Sequence, residues 1–135
     1  MIEAHPWNER LDLSNEAMDH EHHLQLALLA GFVDAVEQRR PWLARRLAEQ
    51  LVRYSIVHFA SEELLMDSTG YEPCVAHASE HATFLAQMRE LEEGYDDDRP
   101  DAALSAALDL RAALTAHIDG VDRRLSERAA RQAPP

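Results

Sequence analysis

His58-Phe59-Ala60-Ser61-Glu62 and, fifteen residues past its end, His77-Ala78-Ser79-Glu80-His81 decide how this 135-residue sequence reads. In each stretch two metal-capable side chains stand four residues apart. On an α-helix such residues lie one above the other on a single face. Two neighbouring helices carrying these pairs would aim four ligands into one small volume.

The surrounding residues supply the helices. Residues 41–67 carry Leu43, Leu47, Leu51, Tyr54, His58, Glu62 and Leu65 at spacings of three and four, the seam of a buried face. Residues 73–93 carry Cys74, His77, His81, Leu85 (with Phe84), Met88 and Leu91 in the same way. Upstream, Ser14 or Asn15 can cap a helix over 15–38 whose seam is Met18, His22, Leu26, Leu29, Val33 and Val36. His20 and His23 are rotated from His22 by about 200° and 100° and face outward, so His22 is the histidine expected inside. Downstream, 101–130 places Leu104, Ala107, Leu110, Leu114, His117, Val121 and Leu125 inward. Arg39-Arg40-Pro41, the turn 68–72 and the acidic loop 94–100 separate the four segments. Residues 1–13 show no period, but Trp7, Leu11 and Leu13 suit an arm laid along a bundle; His5 has no chemistry to join there. The tail 131–135 is expected to fray.

The expectation is an all-α fold: one domain over 1–135, an up-down-up-down four-helix bundle with an extended N-terminal arm. Short loops make successive helices antiparallel. His22, His58 with Glu62, His77 with His81, and His117 then all fall roughly 6 to 20 Å from the same end of the bundle, at about 1.5 Å per residue.

Composition agrees and excludes other classes. Apolar residues make up 46% of the chain, glycine is scarce, and no alternating β-branched run argues for strands. A net charge of −12 lacks the basic footprint that nucleic acid or an anionic membrane surface requires. The lone Cys74 cannot pair internally, and no leader or membrane-length apolar run is seen. The expected location is cytoplasmic.

Five histidines and a glutamate at one level of a core would be costly unless paired or metal-bound. Lysine is absent from the chain, and the arginines fall on outer faces. Metal is the natural compensation. Five imidazoles with two carboxylates are too many for one tetrahedral ion and suit two ions that share carboxylates. For the second carboxylate, helix four offers Asp109, Asp119 and Asp122. Asp122 is five residues after His117, about 140° round an ideal helix, unless Gly120 permits a π-type turn. Spacing leaves that choice open.

Asp19-His20-Glu21-His22, His58 to Glu63, His77 to His81 and His117-Ile118-Asp119-Gly120-Val121-Asp122 together resemble the single-domain bacterial hemerythrins. The resemblance spans the chain, including Trp7 and the Gly70-Tyr71-Glu72-Pro73 turn. It implies two iron ions in an oxo- or hydroxo-bridged non-haem centre. His77, His81 and His117 would hold one ion, His22 and His58 the other, and Glu62 and Asp122 would bridge them. It also implies O2 as ligand, in a pocket lined by Leu26, Phe59 and Leu114, with Tyr54 supporting His58. Spacing could not have chosen iron, since imidazole also suits zinc, copper and nickel. Ala113, where many relatives have tryptophan, and the polar Gln25 are expected to admit water to that pocket. The implied role is reversible O2 binding for carriage, storage, delivery or sensing, without enzyme activity. The alternatives are a di-iron enzyme with peroxidase-like or NO-handling activity, and an iron-binding sensory module with an unidentified protein partner.

Overall fold

The computed structural model describes residues 15–70, 74–124 and 127, with side chains at all of these except 15–17, 19, 69, 74, 121 and 122. Among these residues there are four α-helices: α1 (Asn15–Glu37), α2 (Pro41–Thr69), α3 (Cys74–Glu93) and α4 (Pro100–His117). A π-helical turn, Ile118–Asp122, continues α4. Among the described residues there is no strand, and no helix is long and apolar enough to cross a membrane. The expected arm 1–13, the Ser14 cap, the residues 71–73 of the second turn and the tail 131–135 lie outside the described residues.

Each helix packs against two neighbours: α1 on α2 and α4, and α3 on α2 and α4. Pairings across α1 and α2 run 22 with 62, 25 with 55 and 31 with 47, so residue numbers rise on one helix as they fall on the other. Phe59 lies by Phe84 and Glu62 by His81, which sets α2 and α3 antiparallel too. The result is the up-down-up-down bundle.

The connections follow from local chemistry. Arg40 N–H donates to Ala35 O at 2.9 Å and Arg39 N–H to Val36 O at 3.1 Å, a Schellman closure of α1. Its left-handed position, φ 57°, is filled by Arg39 instead of the usual glycine. Gly70 ends α2 at φ 65°, where a side chain would be strained. Pro41 and Pro100 open α2 and α4 in the first turn, where the missing N–H costs nothing.

The core contains the expected leucines and a wider arc besides. On α1, Gln25 and Phe32 are completely buried, whereas the seam residues Leu26 and Val33 are only half-buried. A helix gripped by two neighbours buries more than one stripe, so residues beside the seam are drawn in. Leu51, Met88, Leu110 and Leu114 fill the interior below the histidines.

Candidate metal centre

Six of the seven residues singled out as ligands come together. Glu62, His77, His81 and His117 form one buried group and His22, His58 and Glu62 another, the donor atoms within each lying inside 4.8 Å of one another. The side chain of Asp122 is outside the described residues. Its backbone is informative: Arg123 N–H reaches back to Ile118 O across the π turn. An i→i+5 turn brings position 122 back toward the azimuth of His117, which ideal helical periodicity denies. A Cβ at Gly120 would meet nothing within 4 Å, so space does not demand the glycine in that turn.

Glu62 stands at the middle. Its Oε2 lies 3.0 Å from His22 Nε2 and 3.1 Å from His58 Nε2. Its Oε1 lies 2.9 Å from His81 Nε2 and 3.7 Å from His77 Nε2. One carboxylate thus faces a different histidine set with each oxygen. The rings pack edge-on: His22 and His58 at 4.8 Å between centroids, His77 and His81 at 4.5 Å, His77 and His117 at 4.8 Å.

Three further carboxylates hold the outer nitrogens. Glu21 on α1 meets His58 Nδ1 at 2.6 Å, Glu63 on α2 meets His81 Nδ1 at 3.0 Å, and Glu80 on α3 meets His117 Nδ1 at 2.8 Å. Each lies on the helix before the histidine it holds, so the links step round the bundle. With Nδ1–H donated outward, the Nε2 lone pair points inward, the tautomer a metal requires. Sequence reading missed these three roles. The signal was present, since each glutamate adjoins a ligand (His22, Glu62 or His81) and so sits about 100° from it, toward the adjacent helix.

The inner atoms are poorly satisfied by protein alone. His58 Nε2, His81 Nε2 and Glu62 Oε1 are buried without an aligned hydrogen bond, although carboxylate oxygen is near. Burial by itself would push the His58 imidazolium down, but its contacts with Glu21 and Glu62 raise its pKa to about 9. Burial would raise the Glu62 carboxyl; the surrounding histidines hold it well below the usual carboxylate range. Every described arginine is exposed, so the described residues offer no other cation inside. Convergent lone pairs, a central carboxylate and braced tautomers fit a pair of metal ions.

Phe59 is buried and stacks on His81, with centroids 4.0 Å apart at 10°. Leu114 is fully buried, and half-buried Leu26 borders a shallow surface cavity of about 210 Å³ with His23 and Ala27. Tyr54 lies parallel to His58 at 6.4 Å, and its hydroxyl donates to the Glu21 carbonyl at 3.4 Å. Burial, then the Glu21 charge, pushes that phenol up to about 12. His20 and His23 are exposed. Gln25 is fully buried and donates to Ser55 Oγ at 2.8 Å. Ala113 is exposed.

Comparison with known proteins agrees with this arrangement. The model of the hemerythrin HHE cation-binding domain matches residues 13–129. A bacteriohemerythrin of Ralstonia nicotianae is 29% identical over 130 residues, 95% of this chain and 90% of the relative. A myohemerythrin of Riftia pachyptila is 29% identical over 116 residues, 86% of each. A bacteriohemerythrin of Pseudomonas aeruginosa is 29% identical over 84 residues, 62% of this chain, and the match spans only about half (55%) of that relative. No solved structure gives a significant match. The matched domain and the clustered histidines and glutamate lead to one conclusion: the chain belongs to the hemerythrin family and is bacteriohemerythrin-like.

Proposed function

We propose that this chain, as a single domain, binds O2 reversibly at a non-haem di-iron centre and works in carriage, storage, delivery or sensing, not as an enzyme. His77, His81 and His117 would hold one iron and His22 and His58 the other, with Glu62 and Asp122 as the carboxylates shared between them. The observation that carries this reading is the division of Glu62, each oxygen facing its own histidine set. A pair of ferrous ions held by these residues would supply the two electrons that reversible O2 binding requires.

The chain's residues would set the conditions. Glu21, Glu63 and Glu80 fix the imidazoles, so little rearrangement accompanies binding. Phe59, Leu26 and Leu114 form an apolar surround, and the nearby outer carboxylates are engaged on Nδ1 atoms and are poorly placed to deliver protons to a ligand. A site without a ready proton donor favours release of O2 unchanged. The second reading, a di-iron enzyme with peroxidase-like or NO-handling activity, draws on the buried amide of Gln25 beside the two-histidine half.

Anaerobic loading with Fe(II), followed by the visible spectrum on adding and removing O2, tests the proposal. A charge-transfer band that appears with O2 and vanishes on degassing is the expected result. Rapid irreversible oxidation, with turnover of H2O2 and a reductant, would favour the enzyme instead. Fewer than two irons per chain would sink the di-iron assignment.

A further inference from the structure

The layer next to the two-histidine half contains a polar pair. Gln25 lies one turn beyond His22 on α1, and Ser55 one turn before His58 on α2. Antiparallel packing sets this pair between the His22–His58 layer and the apolar layer of Leu29 and Leu51. Both side chains are fully buried. Gln25 Nε2 donates to Ser55 Oγ at 2.8 Å, which turns the amide oxygen away from the serine. That oxygen, Oε1, is buried with no hydrogen-bond partner. A buried acceptor left unpaired is costly, and an apolar side chain would fill the position without that cost. Among the described residues the neighbouring His22–His58 group offers two histidines against three in the other, so it is the smaller donor set and the one a further ligand would complete.

Resting on the di-iron reading above, we infer that Gln25 Oε1 is a docking acceptor for a small protic oxygen ligand at the His22–His58 half. The ligand class is water, hydroxide or hydrogen peroxide, each of which has an O–H to donate. Azide anion, nitric oxide and O2 have none. Ser55 positions the amide by taking its N–H. A buried water needs at least two polar partners; Oε1 supplies one and the two-histidine half the other. Incoming ligands that lack a proton must displace the held water, so Gln25 sets which ligands this half prefers.

Gln25→Met, close in volume and without the acceptor, tests this, with Gln25→Leu in reserve should the first fail to fold. The first readout needs no metal: a high-resolution crystal structure of the metal-free protein. An ordered water on Oε1 is expected in the wild type and none at that place in the variant. The second uses Co(II)-loaded protein without O2, titrated with azide and followed by its visible d–d bands. Azide should bind about tenfold more tightly to the variant, because no anchored water has to leave. Equal azide affinities would overturn the inference. Weaker azide binding by the variant would overturn it too, by showing that the amide offers the ligand its N–H. Should neither protein take up two Co(II), the di-iron reading fails, and the water on Oε1 alone decides for or against the docking acceptor.

Discussion

Replacing Glu21 by glutamine should loosen one half of the site and spare the other. Glu21 is on α1, yet its carboxylate holds Nδ1 of His58 on α2 at 2.6 Å. Glutamine keeps the length and an acceptor oxygen but gives up the charge, and charge-assisted bonds are roughly twice as strong as neutral ones. Loss of an outer partner of this kind typically weakens metal binding by about 10–100-fold. The Glu21 side chain is 28% exposed, so water screens part of its charge and the effect should fall near the lower end, about tenfold. Tenfold corresponds to about 1.4 kcal/mol. Chelator-competition titration with Co(II), resolving two equivalents per chain, measures it. One equivalent should weaken about tenfold while the other keeps its affinity. Glu80→Gln is the mirror experiment, since Glu80 holds His117 at 2.8 Å in the three-histidine group. Equal weakening of both equivalents by Glu21→Gln, or no weakening of either, would refute the division of the site into two halves.

Three other outcomes follow from the same structure. Metal binding should tighten as pH rises from 7 toward 9 and release a proton from His58, because that group, with a pKa of about 9, is charged at neutral pH and must be neutral to bind; calorimetry in buffers of different ionisation enthalpy counts the proton. Gly94→Ala should destabilise the fold by about 1–3 kcal/mol in denaturant titrations, the usual cost of overpacking, since its Cβ would stand 2.8 Å from the Glu90 carbonyl oxygen. Arg39→Gly should stabilise it by about 1 kcal/mol in the same assay, by relieving the left-handed backbone of a non-glycine residue.

The bundle was legible because its helices are strongly punctuated. Pro41 and Pro100 open two of them, and histidines occur where the apolar seam asks for leucine. The same periodicity placed His22, His58, Glu62, His77, His81 and His117 at one level, and the structure gathers them there. What periodicity could not supply was anything that acts between helices. Glu21, Glu63 and Glu80 were given no role from the sequence because each has its partner on the next helix. Gln25 stood out only as a polar residue one turn after His22, off the apolar seam and at its edge. Packing of α1 between α2 and α4 makes that edge interior. The π turn after His117 lay between these cases: Gly120 suggested a distortion, and the i→i+5 backbone is present, yet a Cβ at that glycine would fit.

The central claim is that one carboxylate, Glu62, joins two metal ions held by separate histidine sets. Anomalous diffraction at the iron edge from crystals loaded with Fe(II) without O2 tests it most directly. The account predicts two peaks per chain, one beside Oε2 among His22 and His58, the other beside Oε1 among His77, His81 and His117. A single peak, or two peaks of which one lies away from Glu62, would contradict it.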